Sequence, residues 1–334
     1  MMKSFFTFIF GLAARCLPML PGIYAREGPR TGSWRNCTSV ANMDHSHESS
    51  IGHHPDSGFE IIVSCDTIHY RIPKSSIEKI NQSLVVGVLS GASTTIRRSS
   101  IRSTWAYKKK NVFFIVAGPW ENISEEYHQY NDLIWIDKEE VYVTETSVLT
   151  FKTESFLSIF HAVMQKNENI KYLLKTDDDS YVNLKKLEEN LMIRHENDLP
   201  IHYWGKCHDD YWKPHRNQEI EWQKKWYISF ETYAEPNYPP YCQGAGIALS
   251  RNFLDCAINH IPKIKYMPNE DVAVGMLAER CEIPITNNDG VWIRWDNEDG
   301  ITMDGKIIQH YVRTDTDMRL HHYSATGVRG PILL

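Results

Sequence analysis

The chain has 334 residues, with 36 Lys and Arg against 42 Asp and Glu, a net charge of −6. Apolar residues make up 42%, aromatics 12% and charged residues 23%, which supplies a substantial core and excludes a disordered, collagen-like or coiled-coil protein. The negative balance argues against a nucleic-acid binder that works through bulk positive charge, and a mean hydropathy of −0.42 excludes a polytopic membrane protein.

In chain order, the first feature is an apolar stretch from Phe5 to about Leu20, behind Lys3. It is short for a transmembrane helix of roughly 20 residues but sufficient for a secretory h-region of about 7–15. Residues 1–21 are therefore expected to be a signal-anchor or a cleaved signal peptide, and both send the chain into the secretory pathway. Residues 22–80 are rich in Gly, Pro, Ser, Asn and His and read as a stem or linker. Nothing there fixes a ligand geometry for His45, His47, His53 and His54, so a solvated tether is favoured over a metal site. Sequons at Asn36, Asn81 and Asn122 suit a lumenal location. Of seven cysteines, Cys16 lies in the apolar segment and six remain: Cys37, Cys65, Cys207, Cys242, Cys256 and Cys281. Six is an even number that can pair in an oxidising lumen, and the connectivity is open.

From Ser83 apolar strands alternate with helical patterns. Leu84–Leu89, Val112–Val116, Leu133–Ile136 and Tyr172–Leu174 read as buried strands. Helices are expected over Ile96–Trp105, Glu121–Tyr130, Val148–Lys166 and around Leu184–Leu191. A strand at Gly246–Leu249 and helices at Asn252–Asn259 and Asp271–Arg280 close the series, after an irregular aromatic-rich section from Tyr203 to Tyr241. Fully apolar strands alternating with helices imply an α/β domain with a mostly parallel sheet covered on both faces, spanning 81–334.

Three segments carry chemistry. In Lys175-Thr176-Asp177-Asp178-Asp179-Ser180, three carboxylates follow a buried strand, where like charges repel unless a cation relieves them. Hard oxygen ligands in that number suit Mg²⁺ or Mn²⁺, and ligands of open α/β sheets sit at strand carboxyl ends. A solvated acidic turn is the alternative. Arg98 and Arg102 share a face near a helix N-terminus, where two guanidinium forks suit a diphosphate; a solvated basic face is equally open. Glu270 and Asp271 open a helix, as capping residues or with one carboxylate as a general base.

Together these segments resemble glycosyltransferase family 31, the β-1,3-galactosyl-, β-1,3-N-acetylglucosaminyl- and Fringe-type transferases. The matching residues are Arg98-x-x-Ile101-Arg102-x-Thr104-Trp105, Phe114-x-x-x-Gly118, Leu149-Thr150-x-Lys152-Thr153 and Lys175 to Asn183. Tyr238-Pro239-Pro240-Tyr241-Cys242-x-Gly244-x-Gly246, Glu270-Asp271-Val272-x-x-Gly275 and His310 follow in the family's order. Departures are Ile247 for an aromatic, Val148 for Asn, and a longer stretch from Asp137 to Leu149.

The resemblance implies a GT-A fold, with a Rossmann-like nucleotide-sugar half and an acceptor-binding half, usually in a type II membrane protein of the Golgi or endoplasmic reticulum. It implies a UDP-sugar donor, a glycan acceptor on protein or lipid, and Mn²⁺ (or Mg²⁺). Carried over by position, Asp179, Asp177 and His310 are metal ligands, and Arg98, Arg102, Lys175, Asp177 and Asp178 face the donor. Asp271 is the catalytic base, while Trp204, Tyr241, Gly244 and Glu270 line the acceptor side. The expected reaction is inverting transfer of a hexose, galactose by preference, to a sugar 3-hydroxyl. A catalytically weak carbohydrate-binding or chaperone-like relative, and a secreted Ca²⁺-binding module, are the alternatives.

Overall fold

The computed structural model describes residues 59–63, 66–142, 146–196, 201–208, 212–293, 301–328 and 330–331. The first described elements are strands β1 (Phe59–Val63) and β2 (Asp66–Arg71) and a short helix α1 (Lys74–Ile77). They are followed by β3 (Leu84–Leu89), α2 (Thr95–Arg102), β4 (Val112–Val116), α3 (Ser124–Tyr130), β5 (Leu133–Ile136) and α4 (Leu149–Met164). Next come β6 (Tyr172–Asp177), β7 (Tyr181–Val182), α5 (Leu184–Glu196), β8 (Tyr203–His208) and α6 (Glu221–Lys224). The last third holds β9 (Tyr241–Ser250), α7 (Arg251–Ala257), α8 (Glu270–Arg280), β10 (Thr286–Asn287), β11 (Val291–Trp292), β12 (Ile308–Gln309) and α9 (Asp315–Thr326).

The main sheet runs β1-β2-β5-β4-β3-β6-β9-β8-β10. Its centre, β5-β4-β3-β6, is parallel, while β1 with β2, β2 with β5, β6 with β9 and β9 with β8 pair antiparallel. The sheet is thus mixed, with a parallel centre and one further parallel pair, β8 with β10, at its far edge. The residues of β3 are all buried, and their alternation explains why. Leu84, Val86 and Val88 enter one core cluster, whereas Val85 and Leu89 enter the other, on the opposite face. Helix α4 touches α7 and α8 on the second of these faces, and α2 meets α9 on the first.

Two expectations change. Residues 59–80, read as part of a stem, belong to the folded body: β1 and β2 form a hairpin on the sheet edge, and Ile61, Val63, Ile68, Ile77 and Ile80 are buried in its core. Alternating apolar residues, Phe59, Ile61 and Val63 in one run and Ile68 and Tyr70 in the next, form a strand signal masked by the polar composition around it. The Tyr203–Tyr241 section also begins with strand β8. The N-terminal apolar segment and stem residues 1–58 lie outside the described residues. Among those described, no helix is long and apolar enough to cross a membrane.

Two disulfides, Cys207–Cys242 and Cys256–Cys281, answer part of the pairing question. The first joins β8 to β9; the second ties α7 to the far end of α8.

Candidate active site

Chain order β3, β4, β5 moves outward in one direction, and β6 then adds on the other side of β3. The carboxyl ends of β3 and β6 therefore flank the topological switch point, where open α/β sheets place ligands. Leu89 pairs with Asp177 at that point, so the Asp177-Asp178-Asp179 turn leaves the sheet at the crevice.

A second, three-stranded sheet completes the site. Strand β12 pairs antiparallel with β7, with Gln309 opposite Tyr181. This register carries His310 back beside the acidic turn, and Val312 N–H donates to the Asp179 carbonyl at 2.8 Å. His310 Nε2 lies 3.0 Å from Asp179 Oδ1 and 3.8 Å from Asp177 Oδ2. One ligand atom from each of Asp177, Asp179 and His310 falls within 4.8 Å of the others. Tyr311, next in sequence, holds a left-handed φ of 64°. Its ring packs on His310 at 4.1 Å, with Arg313 4.6 Å from the Tyr311 centroid.

Lys175 joins this group to the acidic pair of α8. It is 1% exposed, and its Nζ donates to Asp177 Oδ1 at 2.7 Å, Glu270 Oε1 at 2.9 Å and the Gly244 carbonyl at 2.6 Å. A Cβ at Gly244 would collide with the Glu270 carboxylate and lie 2.9 Å from Lys175 Nζ, so glycine is what admits the bridge. Gly275 plays the same part for α8, where a Cβ would come within 2.6 Å of Tyr241 Cβ. Burial opposes the charge on Lys175, but Asp177 and Glu270 outweigh it and hold the ammonium above the usual lysine value.

The carboxylates divide the charge unequally. Burial pushes Asp177 upward, against Lys175 and His310. Burial acts the same way on Asp179, yet His310, Arg97 and Arg313 outweigh it and hold that carboxyl below its ordinary value. Asp271 sits half-buried in the first turn of α8, its Oδ1 accepting from Val272 N–H at 2.8 Å. Burial, then the neighbouring Glu270 charge, raise it to about 7.

The donor set fits a divalent cation. Two carboxylates and an imidazole converge, and Asp177 spends only one oxygen on Lys175. Such a mixed oxygen and nitrogen set favours Mn²⁺ over Mg²⁺. The other three-residue group, Cys256, His260 and Cys281, does not, since its sulfurs are already bonded to each other.

Several expected contacts are made by other residues. The guanidinium of Arg98, 1% exposed, is spent on Glu126 (2.8 and 2.5 Å), Ser90 Oγ and the carbonyls of Gly91 and Ala92. Arg102 pairs with Glu126 at 2.6 Å and Asp132 at 2.8 Å beneath the ring of Tyr130. Neither presents a free fork to a diphosphate; both hold the wall of the crevice. Arg97, one residue earlier and turned about 100° around the helix, reaches Asp178 instead at 2.8 Å. Asp178 is itself consumed, accepting also from Ser90 Oγ at 2.9 Å and Thr94 Oγ1 at 2.5 Å, so it fastens the β3–α2 loop rather than facing the donor. Lys175 is likewise a buried bridge and not a donor contact.

On the opposite side, Trp204 is 0% exposed within the core and has no face for a sugar, because β8 points it inward. Glu270 and Gly244 are engaged with Lys175, and Tyr241 is buried beside α8. One aromatic ring open to solvent on this side is Trp212, 43% exposed and 4.1 Å from the His208 ring, which in turn lies 5.2 Å from Tyr241. In the sequence Arg97 stands as the first residue of the basic segment and Trp212 as one of the aromatics between Tyr203 and Tyr241, neither with an assigned contact. Sequence reading assigns no role to Arg313, which stands three residues after His310.

A family model described as galactosyltransferase matches residues 96–289, more than half of the chain, running from α2 to β10. The chain belongs to the galactosyltransferase family. This is glycosyltransferase family 31, whose members are hexosyltransferases. Among relatives, the galactosyltransferase-family chain is 30% identical over 246 residues to a β-1,3-galactosyltransferase of Arabidopsis thaliana, covering 68% of this chain and 35% of that one. It is 25% identical to β-1,3-galactosyltransferase 5 of Homo sapiens, over 64% of this chain and 68% of that one. Identity to the human UDP-GalNAc:β-1,3-N-acetylgalactosaminyltransferase 1 is 28%, over 61% and 62% of the two chains. The aligned part is thus about a third of the plant relative and about two thirds of the human ones.

Proposed function

We propose that this chain is an inverting UDP-sugar-dependent β-1,3-glycosyltransferase of GT-A type. It transfers a hexose, galactose by preference, to the 3-hydroxyl of an acceptor sugar on a glycoprotein, glycolipid or proteoglycan. The observation that carries the reading is the Lys175 bridge, which links Asp177, in the Asp177–Asp179–His310 cluster, to the Glu270–Asp271 pair in one site. The names of the relatives, galactosyl- and N-acetylgalactosaminyltransferases, support the linkage and the choice of sugar.

Asp177, Asp179 and His310 would hold Mn²⁺ (or Mg²⁺). Such an ion neutralises the diphosphate that departs as UDP. Asp271 accepts the proton of the acceptor hydroxyl as that oxygen attacks the anomeric carbon from the face opposite UDP. The bond to the UDP oxygen breaks in the same displacement, giving a β-linkage from an α-linked donor. A carboxyl raised to about 7 is well matched to this work near neutral pH. Lys175 and Glu270 position Asp271 and Asp177, while Trp212, backed by His208, offers a flat apolar face for the acceptor.

The secretory pathway suits this reading. Two disulfides indicate an oxidising compartment, and the sequon residues Asn81 and Asn122 are both exposed. The location is a Golgi or endoplasmic-reticulum membrane, with residues 1–21 as a type II anchor and the catalytic body in the lumen.

The test incubates the full chain with Mn²⁺, each UDP-sugar and an acceptor panel, following UDP release. Asp271→Asn should lose about 10²–10⁴-fold in turnover while binding UDP as before. An Asp271→Asn variant with undiminished turnover would overturn the assignment.

A further inference from the structure

We propose that Tyr142 is the stacking platform for the nucleobase of the donor, a proposal that rests on the UDP-sugar reading above. The crevice at the switch point is bounded by the loops that follow β3, β4 and β5, and Tyr142 belongs to the last of them. It is 48% exposed, yet it is held in place. Its hydroxyl donates to Glu140 and lies 3.1 Å from Lys152 Nζ. Lys152 is fully buried and also bonded to the Ser90 carbonyl at 2.8 Å, while the other Glu140 oxygen accepts from Ala92 N–H at 2.8 Å. The Ala92–Glu140 bond ties the post-β5 loop to the post-β3 loop directly, and Lys152 of α4 links Tyr142 to the Ser90 carbonyl. A Cβ at Gly91 would sit 3.5 Å from the Tyr142 hydroxyl, so the ring's polar end lies over the glycine that opens the crevice.

The neighbours set the direction of the ligand. Lys152, bonded to the Tyr142 hydroxyl, also donates to the Ser90 carbonyl, and Ser90 Oγ donates to Asp178 Oδ2 at 2.9 Å, a chain of bonds that links the ring to the acidic turn. A nucleotide whose diphosphate lies at Asp177, Asp179 and His310 would have its base directed away from those carboxylates, toward the post-β3 and post-β5 loops. The Tyr142 ring has Lys152 Nζ 5.3 Å from its centroid and, at 48% exposure, keeps surface for such a base. Stacking on an aromatic is sequence-tolerant and is worth enough that loss of the ring weakens binding about 5- to 150-fold.

The experiment measures binding of UDP and of inorganic pyrophosphate by calorimetry, both with Mn²⁺, to the full chain and to Tyr142→Ala and Tyr142→Phe. The expected result is a loss for UDP of about 5- to 150-fold in Tyr142→Ala, a smaller loss in Tyr142→Phe, and unchanged pyrophosphate affinity in both. Equal weakening of UDP and pyrophosphate would reduce the ring to a loop brace and overturn the proposal. So would UDP binding to Tyr142→Ala at wild-type strength. Absence of UDP binding to the unaltered chain would instead overturn the transferase reading together with this one.

Discussion

Two buried cations stand on either side of the crevice, and they do different work. Arg98 lies between Glu126 and the carbonyls of the β3–α2 loop. Lys175 lies between Asp177 and Glu270. Both neutralise carboxylates in a dry setting, where leaving one partner alone is costly. The difference is in whom they join: Arg98 binds a helix to a loop and forms a wall, whereas Lys175 joins a cation ligand to the residue beside the proposed base. A buried ion pair becomes part of a mechanism through the identity of its partners and not through its strength.

Substitution separates the two roles, and the largest effect belongs to the bridge. Lys175→Met leaves Asp177 and Glu270 facing each other without a cation. Turnover should fall by more than about 100-fold, equivalent to about 2.7 kcal/mol of transition-state stabilisation, with the melting temperature partly restored by added Mn²⁺. A variant that folds with full turnover would break the comparison. Arg98→Met should act mainly on stability: Glu126 keeps Arg102 as a partner, so the cost stays below the roughly 3–5 kcal/mol of a fully orphaned buried carboxylate, and the melting temperature should fall by less than about 12 °C for a domain of this size. Calorimetry reads this, and Mn²⁺ should restore none of it.

The smallest effect concerns pH. Asp271 must be ionised to take a proton, so kcat/KM should fall on the acid side of about pH 7, and a pH–rate profile measures it. Stability moves in the opposite sense. With a folded value of about 7 above the unfolded one of about 3.9, the folded chain binds the proton more tightly. Stability is therefore greatest below the unfolded value and declines as pH rises through about 7. Asp271→Asn escapes that decline, so its melting temperature should exceed that of the unaltered chain by more at pH 8 than at pH 5.

The central strands and their helices could be read from sequence because each apolar run is buried on both faces and is bounded by turn residues. The acidic turn was legible for the same reason, since it ends such a run. His310 was placed by resemblance, and the register of β12 on β7 explains its arrival. The destinations of Arg98 and Arg102 were not legible. Glu126 and Asp132 lie 24 to 30 residues away in sequence, and only tertiary packing brings them near. Trp204 misled in a related way: a tryptophan in an aromatic-rich section has the same letter whether its strand turns it inward or out, and the alternation of β8 decides.

The β1–β2 hairpin has a practical consequence. Trimming a recombinant form at residue 80, where polarity suggests the tail ends, would strip two strands from the sheet margin and lay bare the outer flank of β5. An unpaired margin of that kind invites self-association, and the apolar cavity left by Ile61, Val63 and Ile68 would weaken what remains. A secreted version meant for crystallisation or assay should therefore begin upstream of Phe59.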